Sequence, residues 1–371
     1  MAPILNQDIL SNICRTLLKD EEFDAECLNK FSLAGKESLV AFESVIASLK
    51  SVYIHDNIFL LKMTESDKTY LTCKPSRIVN ARLLKVIGTC TKRIVFTGVS
   101  TSNLPIIDAI CGAKRLKKLS YVDEISLTQG QTIPFWRIFE ECHASLQKIV
   151  IPARYYFCQN PPIFHLHTLY FKSDEDDILS YLNHPSCIAN ELIIELREQE
   201  GNSPSRWEQL ISCFRDFKNP ALSSKVKKLK LKLHIEQYVD SALSLLLQAI
   251  STAFSTLQTF ILINQLALDE YCHTFQDFMN HSTYYLPMYT NLAENDFNFS
   301  TEIEWNVKYN VVEQLFKPHY TDACRRIYSI FDSEVEDRNT LILFKNDELS
   351  PTKSISFEIK VINGEHNYDA I

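Results

Sequence analysis

Glycine is scarce in this chain: seven of 371 residues. Loops that cradle phosphate need glycine so that backbone N–H groups can approach the ligand. Neither GxGxxG nor GxxxxGK[ST] occurs, which disfavours nucleotide-dependent chemistry. CxxC pairs are missing too. The cysteines at 14, 27, 73, 90, 111, 142, 158, 187, 213, 272 and 324 number eleven, an odd count, and most lie within apolar runs. That is the pattern of buried, reduced thiols acting as small hydrophobes, and it argues against both a disulfide framework and a zinc module. MAPILNQDIL has no basic segment followed by an apolar run, so no secretory signal is expected. The apolar stretch nearest to a membrane span, Ala242–Ile250, falls far short of the ~20 residues required. A cytoplasmic or nuclear location is expected. Positive charge is also in deficit: 38 Lys and Arg against 46 Asp and Glu give a formal net charge of −8. A general nucleic-acid binder draws its affinity from clustered basic residues and is therefore disfavoured.

What the chain does have is a globular composition, 46% hydrophobic and 23% charged, and a recurrent short strand. In Val226–Ile235, VKKLKLKLHI, Leu229, Leu231, Leu233 and Ile235 alternate with Lys228, Lys230, Lys232 and His234. Period two with one apolar face predicts a strand packed on a core on one side. The spacing L-x-x-L-x-L recurs as Leu116/Leu119/Tyr121, Leu146/Ile149/Ile151, Leu166/Leu169/Phe171 and Leu257/Phe260/Leu262. Ala189/Leu192/Ile194 is a weaker copy, Ile94/Phe96 an earlier one, and Leu49/Val52/Ile54 the first. Central anchors at 94, 119, 149, 169, 192, 229 and 260 stand 25, 30, 20, 23, 37 and 31 residues apart. Most of these intervals lie near the 20–29-residue period of leucine-rich repeats. The Asn or Cys that closes the turn in regular repeats is missing.

Helices are expected between the strands, over Leu104–Ala113, Phe135–His143, Ile178–Asn183, Trp207–Phe217, Val239–Phe254 and Asp269–Asn280. Pro105, Pro134 and Pro204 fall at or just before helix starts, where a missing N–H costs little. Asp174–Asp177 precedes a helix and suits its dipole better than it suits a metal. Strand and helix in alternation, with right-handed crossovers, give a parallel sheet. At this period the expectation is an α/β fold organised as an irregular leucine-rich-repeat solenoid over 51–290. A Rossmann-like sheet is the runner-up, disfavoured by the missing glycine loops. Residues 291–371 lose the template and read as an α+β C-terminal extension or cap. It has strands at Phe299–Tyr309, Leu341–Phe344 and Ile355–Val361, helices at Val311–Phe316 and Ala323–Phe331, and a hairpin loop at Lys345–Lys353.

Residues 1–50 form a short helical unit, too small to stand alone. Asn6 is the expected N-cap of a helix running through Ile9, Leu10, Ile13, Leu17 and Leu18, with Asp8 in its first turn. A second apolar pattern covers Leu28, Phe31, Leu33, Leu39, Val40, Phe42, Val45, Ile46 and Leu49. Leu5–Leu10 resembles the opening of an F-box, Leu-Pro-x-Glu-Ile/Val-Leu. LNKFSLAGKESL, Leu28–Leu39, is similar to the later F-box segment, an apolar run with a basic residue near its end. Asn6 stands in place of the usual proline, and Gly35 in place of the usual Cys or Ser. With the array downstream, the chain resembles F-box proteins carrying degenerate leucine-rich repeats, a combination widely multiplied in nematodes. The resemblance implies a non-enzymatic adaptor of a ubiquitin ligase. Leu5, Ile9, Leu10, Leu28, Phe31 and Leu33 would dock a Skp-type adaptor, which joins a cullin, and the array would hold a target protein. The alternative is a repeat scaffold with no ubiquitin link, its N-terminal helices capping the open end of the array.

No catalytic constellation is evident, and neither cofactor nor metal is expected. The row Lys228, Lys230, Lys232 and His234 is a possible surface for an acidic or phosphorylated target, although a solvated strand face needs no function. His165 and His167 share a strand face but lack a third ligand. Cys272 and His273 are helix neighbours in this reading and do not face each other, so no nucleophile–base pair is expected there. Tyr155-Tyr156 and Tyr284-Tyr285 are candidate interface anchors or ordinary packing.

Overall fold

Every residue of the L-x-x-L-x-L pattern becomes core. From Leu49 to Leu262 none of the template positions is more than 3% exposed. The computed structural model describes residues 6–19, 25–49, 51–55, 58–62, 71–73, 81–97, 101–121, 133–152, 166–173, 182–185, 188–196, 204–234, 241–273, 283–311, 330–337 and 340–363. It is a mixed α/β structure with an open, mostly parallel sheet arrangement and helices at its N-terminus. Contacts divide the chain into two compact units, Met1–Leu169 and Tyr170–Ile371.

The first unit opens with α1 (Gln7–Lys19), α2 (Ala25–Leu33) and α3 (Lys36–Ile46). Its strands are β1 (Ser51–Ile54), β2 (Phe59–Lys62), β3 (Leu71–Cys73), β4 (Arg93–Phe96), β5 (Lys118–Tyr121) and β6 (Lys148–Pro152), in the spatial order β3-β2-β1-β4-β5-β6. β1, β4, β5 and β6 run parallel, with Val52 opposite Ile94, Ile94 opposite Leu119, and Leu119 opposite Ile149. The anchors are therefore direct cross-strand partners. β5 and β6 start the same way: one carbonyl accepts two consecutive N–H groups. The Lys92 carbonyl takes those of Lys117 and Lys118 at 2.8 and 2.9 Å, and the Lys117 carbonyl those of Gln147 and Lys148 at 2.8 and 3.1 Å. Helices α4 (Ala81–Cys90), α5 (Leu104–Ala113) and α6 (Ile133–Cys142) lie between the strands in sequence. Pro105 sits in the first turn of α5, where its missing N–H costs nothing.

β7 (Leu166–Ser173) carries the boundary between the units. The second unit orders β8 (Ala189–Leu196), β9 (Lys228–Leu233), β10 (Thr259–His273), β11 (Ser300–Val311), β14 (Lys353–Asn363), β13 (Thr340–Ser350) and β12 (Asp332–Asp337). The first five of these are parallel, and β13 and β12 complete an antiparallel meander. Leu192, Leu229 and Phe260 face one another across the rungs, and all are fully buried. The Lys227 carbonyl repeats the double acceptance, from Gln258 and Thr259 at 2.8 and 3.0 Å. Hydroxyls at equivalent positions staple successive rungs: Ser145 Oγ reaches the Leu116 carbonyl at 2.8 Å, and Thr256 Oγ1 the Val226 carbonyl at 3.1 Å. Helices α7 (Pro204–Arg215), α8 (Pro220–Ser223), α9 (Ala242–Ala253) and α10 (Tyr285–Glu294) complete the unit. Asn219 caps α8 by accepting from the Leu222 N–H at 3.1 Å.

Two expected elements are corrected. The segment Asp269–Asn280 does not begin as a helix: β10 continues to His273, held by parallel pairing that runs to Leu268 opposite Tyr309 and His273 opposite Val311. Residues 274–280 lie outside the described set. Lys345–Lys353 is not a loop either. Lys345 to Glu348 pair with Phe357 to Ser354, leaving Pro351 and Thr352 as the connection. The polar residues there occupy an exposed strand face, with Asn346 accepting a hydrogen bond from Ser356 at 2.7 Å. Of the helix expected over 178–183, Leu182 and Asn183 are helical. The helices expected at 311–316 and 323–331 fall mostly outside the described residues, Val311 ending β11 instead. Strands β2, β3 and β12 and helix α4 were not anticipated from the pattern. Among the described residues, no helix is long and apolar enough to cross a membrane.

Gly88 of α4 permits the closest approach between helices. A Cβ there would lie 2.3 Å from the carbonyl oxygen of Ala109 in α5, whereas one at Gly112 would meet nothing within 4 Å. Gly88→Ala is expected to destabilise the protein by about 1–3 kcal/mol through overpacking. Gly112→Ala should stabilise it by about 0.5–1 kcal/mol through helix propensity. Urea denaturation of the two variants checks the opposite signs.

Candidate functional site

The three N-terminal helices bury one set of apolar side chains and leave another exposed. Asn6 opens α1 as expected, its Oδ1 accepting the Asp8 N–H at 2.9 Å. Leu10 and Cys14, one turn apart, are buried at 5% and 0% exposure, and α1 packs on α3 and α2. Ile9 and Ile13, also one turn apart, are 50% and 41% exposed. Helix α3 buries Ser38, Ala41, Phe42, Val45 and Ile46 but leaves Val40 47% exposed, and Leu33 at the end of α2 is 69% exposed. Of the six residues singled out for docking, Ile9 and Leu33 are thus exposed, Phe31 is half-buried and Leu10 belongs to the unit's own core. Leu5 lies outside the described residues, as does the side chain of Leu28. Ile13 and Val40 were legible in the sequence only as members of helical patterns, and they extend the exposed set. Burial pushes the Cys14 thiol up to about 11, outweighing the opposing pull of Arg15.

The basic row of β9 is half-buried and is not uniformly basic in its setting. Lys228 stands opposite Glu191 of β8, with Nζ 3.4 Å from the carboxylate. Lys232 stands opposite Glu195. It donates to the Tyr170 hydroxyl at 3.3 Å and lies 5.3 Å from the centre of the Tyr170 ring. The Tyr170 hydroxyl donates in turn to Glu195, which is only 9% exposed. Lys230 stands between Ile193 and Ile261, both buried. On the far side, β11 carries Glu302 and Glu304 in register with Ile261 and Ile263. The face is therefore a mosaic of paired charge and apolar side chains. Sequence reading missed Tyr170, Glu191 and Glu195, which engage the row from 37 or more residues away in the chain.

The remaining candidates are not assembled into a site. His167 is exposed, with Nδ1 3.0 Å from Thr168 Oγ1, while His165 lies outside the described residues. Among the described residues no group of three or more His, Cys, Asp or Glu is placed to hold a metal. Cys272 and His273 fall within strand β10 and not within a helix. Tyr284 packs edge-on to Trp305 at 6.4 Å, and Tyr285 is buried between Phe331 and Phe357 with its hydroxyl donating to Asp347. These tyrosines are packing residues. Tyr155-Tyr156 and 174–177 fall outside the described residues.

Tyr170→Phe removes the hydroxyl shared by Lys232 and Glu195, so it should cost about 1–3 kcal/mol in urea unfolding, the penalty of a buried charged acceptor losing a donor. Cys14 predicts a pH dependence. Its folded pKa lies above the unfolded value, so the folded state holds the proton longer and stability falls as pH rises from about 9 towards about 11. Cys14→Ala should flatten that alkaline limb, which a series of chemical denaturations across the range would detect.

No family model, curated protein or solved structure matches this chain.

Proposed function

We propose that the protein is a non-enzymatic substrate-recognition adaptor of a Skp–cullin–F-box ubiquitin ligase. The observation that carries this reading is the set of apolar side chains that the N-terminal helices leave exposed. Ile9, Ile13, Leu33 and Val40 stay in solvent while Leu10, Cys14 and Phe42 hold the helices together. Exposed apolar side chains grouped on one small unit mark an interaction site, and an F-box docks a Skp-type adaptor through such side chains. The in-register rungs with irregular intervals support the finer reading of the following residues as a degenerate leucine-rich-repeat solenoid. That array would hold the target protein, with Lys230 of β9 and His234 just beyond it as contacts beside the internally paired Lys228 and Lys232. The chemistry then belongs to the ligase. The adaptor contributes proximity, raising the target's effective concentration at the cullin complex.

One observation favours the alternative, a repeat scaffold with no ubiquitin link: α3 buries a full stripe of side chains and packs against α4, as a solenoid cap does. Co-expression distinguishes the two. The full chain should co-purify with a Skp-type adaptor, and Ile9→Asp with Leu33→Asp should abolish the association while leaving the fold intact. Lys230→Glu should retain it. Absence of association by the unaltered chain ends the proposal. Deleting residues 1–48 adds a second reading: a separable docking module leaves a soluble remainder, a cap leaves an aggregating one.

A further inference from the structure

A row of like charges crosses the first unit at the entry to its parallel strands. Arg93 of β4 stands directly opposite Lys118 of β5, and Lys118 opposite Lys148 of β6. Each lies one residue before a fully buried anchor, Ile94, Leu119 or Ile149, so strand alternation places all three on the face away from those anchors. Lys118 is exposed, and the other two are half-buried. Lys148 has an interaction of its own, whereas Arg93 and Lys118 form no ion pair among the described residues. The surrounding sequence does not balance them. Between Thr91 and Tyr121, Lys92, Arg93, Lys114, Arg115, Lys117 and Lys118 meet a single acid, Asp108, in a chain whose net charge is −8. Asp108 is already paired with Arg137 of α6 at 2.8 Å.

The second unit shows that the fold does not require this row. The residues one before the anchors Leu192, Leu229 and Phe260 are Glu191, Lys228 and Thr259. Opposite charges face each other there, with Lys228 Nζ 3.4 Å from Glu191, and a neutral residue follows. Like charges facing across strands about 4.8 Å apart repel, whereas opposite charges at the same spacing stabilise the pair. The same ladder position thus accepts an ion pair or a hydroxyl, and Arg93 opposite Lys118 contributes nothing to the fold.

We propose that this row is a docking surface for an acidic peptide segment of a partner protein. Carboxylates of the partner neutralise the facing cations, and the planar guanidinium of Arg93 suits a carboxylate held through two hydrogen bonds. The row spans two strand intervals, about 10 Å, which matches a short run of Asp and Glu better than a long polyanion. Nucleic acid is the poorer occupant. It binds through many phosphate contacts and aromatic stacking platforms, and the next residues along the same face are Val95, Ser120 and Val150. The surface lies within the first unit and uses none of the residues through which the N-terminal helices would dock. It therefore stands or falls independently of the adaptor reading.

Fluorescence anisotropy of the full chain with a labelled poly-Glu dodecapeptide at physiological ionic strength tests this, with poly-Gln and oligo-thymidine of equal length as comparison probes. The Glu peptide should bind, the Gln peptide should not, and oligo-thymidine should bind more weakly than the Glu peptide. Arg93→Gln with Lys118→Gln should weaken Glu-peptide binding about tenfold, as the loss of two exposed ion pairs implies. Lys85→Gln, at an exposed position of α4, should leave it unchanged. The double variant should also unfold at an equal or higher urea concentration, because facing like charges have been removed. No binding of the Glu peptide, equal binding by the double variant, or tighter binding of the oligonucleotide would overturn the proposal. So would a lower urea midpoint of the double variant, which would make the row part of the fold's own stability.

Discussion

The structure depends on strand register. The buried anchors Val52, Ile94, Leu119 and Ile149 face one another in turn, as do Leu192, Leu229 and Phe260, and the side-chain period of a strand is two. A slip of one residue in β9 would carry Lys228, Lys230 and Lys232 into the positions now held by Leu229, Leu231 and Leu233, none of which is exposed. Burying three lysines without partners costs far more than any local strand preference supplies. Register is fixed at the start of several rungs as well, where a single carbonyl at Lys92, Lys117 or Lys227 accepts two successive N–H groups at the head of the next strand. Because these constraints act on the strands alone, the intervals between anchors are free to vary. Closing a longer loop costs only a slowly rising entropy, so rungs 20 residues apart and rungs 37 apart join the same ladder pattern.

That division explains which parts of the fold were legible. The anchors follow a local spacing, three then two, that holds wherever a strand is entered from a tight turn, and they could be read without any neighbour in view. Strand length could not. Leu268–His273 contains Asp269, Glu270 and Tyr271 and reads as helix from its own composition, but β11 runs on beside it to Val311 and draws it into the ladder. Asn346, Asp347 and Glu348 read as turn residues for a related reason. They sit on a half-exposed strand, where polar side chains are tolerated and the partner β14 supplies the backbone pairing. β12, with the acidic sequence DSEVED, gives no strand signal at all. Its charge suits an edge strand, since acidic side chains discourage further pairing there.

The candidate surfaces failed and succeeded by the same rule. The lysine row of β9 is a correct reading of one strand and an incomplete reading of a sheet, because its counter-charges arrive from β8 and a bridging hydroxyl from β7. Glu195, almost buried, is balanced by a tyrosine hydroxyl and an ammonium group whose positions depend on three strands at once. Such pairing is non-local by construction and leaves no trace in the sequence of any single strand. On α1 the difficulty was different. Ile9, Leu10, Ile13 and Cys14 form two adjacent apolar stripes with the same period, and periodicity cannot choose which stripe turns inward. Packing on α3 chose Leu10 and Cys14.

The cap and docking readings of the N-terminal helices are not in physical conflict. A cap needs one covered face, and α3 provides it through Ala41, Phe42, Val45 and Ile46 against the rest of the first unit. A helix that only capped would gain nothing from Val40 on its outer side, and α1 would gain nothing from Ile9 and Ile13 beside an already complete inner stripe. Polar residues at these positions would be more soluble and would disturb no contact of Leu10 or Phe42. Apolar side chains left outside a filled core are available to a second surface. The inner stripe therefore accounts for the stability of the three helices, and the outer one for the proposed partner.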